Sequence, residues 1–382
     1  MQRPISEITS IIGGGTPSTK IEDYWDGDIN WFTPSEIGNN IYAYSSIRKI
    51  TKIGLKNSSA KILPKNKTIL FTSRAGIGDT AILKNDAATN QGFQSLIVKE
   101  NVDIYFLYSM APFIKKEAIR RASGSTFLEI SVTEMKKIKL YIPNVYEQKK
   151  IGKLIQILDR IITLEQEKVK KIEQLKESFL QNLFPKKDHY IPELRIQGFS
   201  KDWETIKLGS ILSKGNRKKV DNPNNYNRLT VKLHKRGLEK FIPDRHMANT
   251  RPFYQRFSGE LIIGKQNYFN GSLAIVSDEF DGYISSNAIM SFSILRADIN
   301  FLYNYIGRDS YINERAYLAN GTGQKELSEK DFLNFKIKAP SLLEQKEIGK
   351  LFKQFNNIID ESQEKINLYL KIKEMLLNNL FI

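Results

Sequence analysis

The 382-residue chain contains no cysteine, which excludes a disulfide scaffold, Cys-ligated zinc, an iron–sulfur cluster and a thiol nucleophile. Its three histidines, His189, His234 and His246, are too few and too scattered to suggest a histidine-based metal site. No apolar run approaches the ~18 residues needed to span a bilayer, and the opening Met1-Gln2-Arg3-Pro4-Ile5 has no apolar stretch of the kind a secretion signal requires. The expectation is a soluble cytoplasmic protein. Acid is also in deficit: 58 Lys and Arg face 42 Asp and Glu, a net charge of +16. A pI of about 9.5 fits a nucleic-acid binder, because cationic side chains displace the counterions condensed on a phosphate backbone.

What is present above all is an internal repeat. The stretch beginning Pro143-Asn144-Val145-Tyr146-Glu147-Gln148-Lys149 recurs as Pro340-Ser341-Leu342-Leu343-Glu344-Gln345-Lys346, an offset of 197 residues. Residues 138–184 against 335–381 show 20 identities in 47 ungapped positions, ending at Asn182-Leu183-Phe184 and Asn379-Leu380-Phe381. Upstream, Ala122-Ser123-Gly124-Ser125 faces Ala319-Asn320-Gly321-Thr322, and Glu129 and Ser131 face Glu326 and Ser328. The chain is a tandem duplication.

Each copy closes with a helix. Ile151, Leu154, Ile155, Leu158, Ile161, Ile162, Ile172, Leu175, Phe179 and Leu183 fall at helical spacing, as do Ile348, Leu351, Phe352, Phe355, Ile358, Ile359, Ile366, Leu370, Leu377 and Leu380. About 38 residues at 1.5 Å each gives about 57 Å, and one apolar stripe of that length needs a partner helix. The other copy is the obvious candidate. Both stripes weaken near Glu165 and Ser362, where a local irregularity in the packing is expected, and the Glu-Gln-Lys openings place acid at the positive end of the helix dipole.

The charge is unevenly held. Residues 147–184 carry 8 basic and 6 acidic groups and residues 344–382 carry 6 of each, whereas 1–146 carry 19 against 13 and 185–343 carry 25 against 17. A general compositional bias would load the helices too, so the excess points to an anionic ligand for both globular parts. Those parts read as β-rich. Strand patterns at 68–72, 80–83 and 94–98 match 260–263, 272–276 and 290–295, and helical stretches at 103–121 and 298–317 follow. The loop Ser73–Asp79 stands where the second copy has Lys265–Gly271.

Enzyme motifs fail on inspection. Gly259–Gln266 matches a phosphate-binding loop formally, but its last residue is not Ser or Thr and its interior is a strand pattern. Gly13-Gly14-Gly15 and Gly76-Ile77-Gly78 lack a strand–loop–helix context, Asn222-Pro223-Asn224-Asn225 reads as a turn, and Pro243-Asp244 has no nuclease partner motif. Binding chemistry is better represented. In the first domain the candidate DNA-contacting residues are Lys20, Arg74, Gln91, Gln94, Ser125 and Thr126. In the second they are Lys232, His234, Lys235, Arg236, Lys265, Gln266, Asn267, Asn287, Gln324 and Lys325. Arg and Lys suit guanine edges and phosphates; Gln and Asn suit adenine.

The doubled Pro-x-x-x-Glu-Gln-Lys opening, the closing Leu180-Gln181-Asn182-Leu183-Phe184, and the Gly-rich turn and Leu327-Ser328 that precede the second opening resemble the specificity subunits of type I restriction–modification systems. So do Gly14-Gly15-Thr16-Pro17-Ser18 with Tyr24–Trp31, and the lead-in Ile191–Phe199 followed by Trp203. The resemblance implies an α+β architecture: two similar β-rich target-recognition domains, at 1–142 and 185–339, separated by two long helices, at 143–184 and 340–382, that pair as an antiparallel coiled coil in a pseudo-twofold tandem repeat. It further implies a non-catalytic subunit whose domains each read half of a bipartite double-stranded DNA target. Two methyltransferase subunits for adenine N6 methylation and two motor–nuclease subunits are the implied partners. S-adenosylmethionine, ATP and Mg are then expected on those partners, with no cofactor or metal in this chain and no membrane association. The lead-in has no counterpart before the first domain, as expected of a shortened N-terminus, and the second domain lacks the Gly-Gly-Thr-Pro-Ser opening, which implies a different specificity class. The alternatives are a free-standing DNA methyltransferase or nuclease, which lacks a catalytic motif, and a helical scaffold with incidental basic domains.

Overall fold

The computed structural model describes residues 2–124, 128–242, 251–316 and 326–381. They form two compact units, one of residues 1–166 with 364–382 and one of residues 167–363. Two long helices, Val145–Asn182 and Leu342–Leu380, each contribute one half to either unit. Their starts are capped by side chains: Asn144 Oδ1 accepts from the Glu147 amide at 3.0 Å and Ser341 Oγ from the Glu344 amide at 3.4 Å.

Pairing of the helices is antiparallel. In the first unit Lys373 Nζ, late in the second helix, lies 2.5 Å from Asp159 Oδ1, early in the first. In the second unit Lys176 Nζ donates to Asn356 Oδ1 at 2.7 Å. Moving Asp159 by the repeat offset gives Asn356, and moving Lys176 gives Lys373. The same bond is thus made twice, once with a carboxylate and once with an amide. At Glu165 and Ser362, where irregular packing is expected, both helices run unbroken, because intrahelical hydrogen bonds tolerate a polar residue on the seam. Ser362 is buried there, and its hydroxyl has no hydrogen-bond partner among the described residues.

The first unit holds a five-stranded sheet in the order Thr9–Gly13, Gln94–Val98, Thr68–Phe71, Thr80–Leu83, Tyr42–Ala43, and a three-stranded sheet of Arg48–Ile50, Trp25–Phe32 and Ala87–Thr89. The second holds two four-stranded sheets: Leu212–Lys214, Ile289–Ile294, Leu261–Gly264, Leu273–Ile275, and Leu238–Phe241, Arg228–Val231, Ile284–Ser286, Phe253–Gln255. The strand patterns at 68–72, 80–83 and 94–98 are therefore strands to within a residue. The helical stretch read at 103–121 is two helices, Ile104–Ser109 and Ala111–Arg121, because Pro112 fits only in a first turn, where no amide hydrogen is needed. Its counterpart likewise divides, into Ile299–Ile306 and Asp309–Asn313.

Each domain is closed by pairing its first and last strands, Gln2–Pro4 with Lys139–Tyr141 and Glu204–Lys207 with Lys336–Ala339. The lead-in is anchored by Arg195, whose guanidinium makes two 2.9 Å bonds to the buried Glu344 carboxylate. The closing phenylalanines are anchors too. Phe184 packs among Trp203, Phe301, Tyr305 and Phe352 in the second unit, and Phe381 against Phe106 and Phe113 in the first.

Candidate nucleic-acid interface

One hydrogen-bonding frame carries the loops of both domains. In the first, the Ser73 amide donates to Gly92 O at 2.8 Å and Ser73 O accepts from the Ile130 amide at 3.1 Å. In the second, the Lys265 amide donates to Ala288 O and Lys265 O accepts from the Leu327 amide, both at 2.9 Å. Ser73 and Lys265 are therefore equivalent, and the residues displayed beside them correspond as well: Arg74 with Gln266, and Gln91 with Asn287.

In the first domain Arg74 is half-buried and Gln91 exposed, on loops joined by the Ser73–Gly92 bond. Gln91 Oε1 accepts from Thr16 Oγ1 at 2.5 Å. Thr16 gets there because Gly14 passes flat against the neighbouring strand; a Cβ on Gly14 would sit 2.0 Å from Asn90 O. The 73–79 loop is pinned from the helix side by Lys115, 3.1 Å from Asp79. Lys20 is exposed on the turn before Trp25, and no hydrogen bond or ion pair ties it to Arg74 or Gln91. Gln94 is placed differently: it starts a central strand, is buried, and its Oε1 has no hydrogen-bond partner among the described residues.

In the second domain the hairpin between Arg228–Val231 and Leu238–Phe241 turns through His234 and Lys235, both left-handed at φ 58°. Its tip is strapped to the adjoining loop by the His234 amide on Asn270 O and the Lys235 amide on Gly271 O, each 2.8 Å. That brings His234, Lys235 and Arg236 beside Gln266 and Asn267, all exposed. Lys232 pairs with Glu239 at 3.3 Å and Lys235 with Asp309 at 2.8 Å. Lys265 and Asn287 line a small recess with Arg217, Tyr254, Arg256 and Glu329. Ser125, Thr126, Gln324 and Lys325, like Asp244, lie outside the described residues.

Arg256 was not foreseen. It is buried and donates to Ser285 Oγ at 2.7 Å, Ile289 O at 3.2 Å and Asn216 O at 3.3 Å. Burial lowers its pKa to about 10, so it stays cationic at neutral pH under the recess. Arg217, paired with Glu329, was also missed, being one residue in an undistinguished basic run. A larger cleft of about 810 Å³ in the second unit is lined by Lys186, Lys187, Lys235, Arg308, Arg315, Lys336 and Lys338 against only Glu177, Asp309 and Glu314. The Arg308 guanidinium sits 4.5 Å from the Phe184 ring and 4.3 Å from that of Tyr305, which holds the charge at the cleft wall.

Among the described residues no three His, Asp or Glu side chains are grouped to hold a metal ion, and no helix is long and apolar enough to cross a membrane. Gly259–Gln266 holds the strand Leu261–Gly264 at its centre, as its pattern suggests.

Two β-rich heads with basic, amide-bearing loops, each mounted on a shared pair of antiparallel helices, define a tandem DNA-specificity protein. The chain belongs to the family of the type I restriction modification DNA specificity domain, which matches residues 1–174 and 200–371. This is a family of specificity subunits, a class distinct from the catalytic subunits. The chain is 37% identical over 225 residues to the type I restriction enzyme MjaIX specificity subunit of Methanocaldococcus jannaschii, covering 55% of this chain and 51% of that protein. It is 31% identical over 169 residues to the EcoR124I/EcoR124II specificity subunit of Escherichia coli, covering 42% and 41%. The chain thus spans about half the length, or less, of these two curated relatives. A match at 21% identity to the MjaVIII specificity subunit of M. jannaschii covers 98% of this chain and 90% of that protein. The fold is similar to the crystal structure of an S subunit from M. genitalium, with a TM-score of 0.67 at 15% identity over 100% of this chain and 96% of that one.

Proposed function

We propose that the chain directs a type I restriction–modification complex to a bipartite DNA sequence, each domain reading one half-site. The carrying observation is the frame around Ser73 and Lys265, which presents Arg74 and Gln91 in one domain and Gln266 and Asn287 in the other. One frame with different side chains suits two readers of the same geometry and different sequence. Lys20, Lys232, His234, Lys235, Arg236, Lys265 and Asn267 join them as base or phosphate contacts, and so do Ser125, Thr126, Gln324 and Lys325, at equivalent places in the sequence repeat. Recognition domains at 1–142 and 185–339 are then separated by helical spacers at 143–184 and 340–382, which fix the gap between half-sites. Two methyltransferase subunits dock on the helices and methylate adenine N6 with S-adenosylmethionine; two motor–nuclease subunits add ATP- and Mg-dependent restriction.

The test is the N6-methyladenine pattern of host DNA with and without this gene. Loss of a single interrupted motif on deletion supports the reading and supplies both half-sites. An unchanged pattern from a host whose methyltransferase subunit is expressed refutes it.

A further inference from the structure

The repeated Glu-Gln-Lys opening contains a buried side chain that helix formation does not require. Glu147 is exposed at the helix start, as its dipole role demands, but Gln148 is 2% exposed and Gln345 is 4% exposed. Gln148 Oε1 accepts from the Asp103 amide at 3.0 Å, and its Nε2 donates to Pro143 O at 2.9 Å. Gln345 repeats both bonds, with the Asp298 amide at 3.2 Å and Pro340 O at 2.9 Å. Each aspartate in turn caps a helix of its domain, Asp103 at the Phe106 amide and Asp298 at the Phe301 amide, both at 2.8 Å.

One turn further along each long helix stands a glycine, Gly152 or Gly349. A Cβ on Gly152 would lie 2.5 Å from Asp103 Oδ1, and on Gly349 2.0 Å from Asp298 Oδ1. Gln and Gly at i and i+4 share one helix face, so the capped end of the domain helix is pressed onto the long helix and latched there. This clamp joins three segments in each unit: the end of the closing strand, the long helix and the capped domain helix. Nothing in it adds much apolar burial; the cores on either side supply that.

We infer that Gln148 and Gln345 are positioning residues, which with Gly152 and Gly349 set the angle between each recognition domain and its helix and so the gap between half-sites. The inference rests on the two-reader function proposed above. Its leverage follows from size. A domain of this length has a radius of gyration of about 15 Å, so a tilt of about 10° at the clamp shifts a loop roughly 20 Å away by about 3.5 Å. That is about the rise of one base pair.

The test uses the full chain assembled with its methyltransferase subunits, on duplexes carrying both half-sites at the native gap and at gaps one base pair longer or shorter. In Gln345→Ala and Gln148→Ala the preference for the native gap should fall about tenfold, while discrimination against a base change within either half-site stays within about twofold. Asp298→Asn, which keeps a capping oxygen, should leave the gap preference unchanged. A proportional loss of methylation on every duplex overturns the positioning role.

A second readout needs no DNA. With no native cysteine, spin labels at Lys218→Cys and Lys353→Cys, both within the second unit, report the domain–helix distance. Its distribution should broaden in Gln345→Ala and not in Asp298→Asn; an unchanged width overturns the inference. A wild-type complex indifferent to gap length would instead sink the bipartite reading, and the label widths would then decide the clamp alone.

Discussion

Asp159 tests whether the helix pairing depends on its charge or on its shape. The carboxylate is buried, accepting the Tyr105 hydroxyl at 2.7 Å on one oxygen and holding Lys373 at 2.5 Å on the other. In Asp159→Ala the Lys373 ammonium and the Tyr105 hydroxyl both lose their partner. Breaking a fully buried pair costs about 3–5 kcal/mol, and the Lys373 side chain is 27% exposed, so about 2–4 kcal/mol is expected here. Asp159→Asn reproduces the residue that the repeat itself uses at Asn356, keeps an acceptor oxygen, and should cost about 1 kcal/mol. Hydrogen exchange followed peptide by peptide in urea separates the two units. Protection should fall in residues 1–166 and 364–381 and stay unchanged in 167–363. Equal losses for Ala and Asn, or equal losses in both units, would refute the reasoning.

Phe184→Ala should cost about 3–5 kcal/mol and also strip Arg308 of one of its rings, with Phe381→Ala costing less because fewer rings surround it; thermal melts of both variants check this. Arg74→Ala should weaken binding by about 1–3 kcal/mol at the first half-site only, and Gln266→Ala or Lys265→Ala at the second, in titrations with duplexes altered one half at a time. Equal impairment of both half-sites would contradict the two-reader assignment. Burial, with Asp159 nearby, pushes the Tyr108 hydroxyl up to about 12, above the 10.0 of a free tyrosine. A group whose folded pKa is raised gives stability that is complete below the unfolded value, so this contribution is intact below pH 10 and drains away as pH climbs towards 12, which an ultraviolet difference titration follows.

The long helices and the strands around Thr68–Phe71, Thr80–Leu83 and Gln94–Val98 were legible in the sequence because local periodicity and duplication both declare them. The split at Met110 was legible in principle, since Pro112 fits only a first turn. Orientation was not: Gln-Ser-Leu-Ile-Val announces a strand without saying which way Gln94 faces, and the structure buries it. Arg256 was invisible because its three acceptors come from segments about 30 to 40 residues away on either side, which no local pattern links. The glutamine clamp was masked by a sufficient simpler reading, since Glu-Gln-Lys already makes sense as a helix start. The split of charge between basic domains and neutral helices was legible, but that cationic side chains of the second unit would gather on one cleft beside Phe184 was not.

The division of the chain into units also sets an order of birth. The second unit is one continuous stretch, residues 167–363, whereas the first begins at residue 1 and is completed only by residues 364–382. On the ribosome the domain made second can therefore finish first. The earlier one waits, with Phe106 and Phe113 lacking Phe381 and Asp159 lacking Lys373, while the intervening unit is translated. At about 5–20 residues per second that interval is roughly 10–40 s. A chain cut short within this window would release a finished second head beside an open first one.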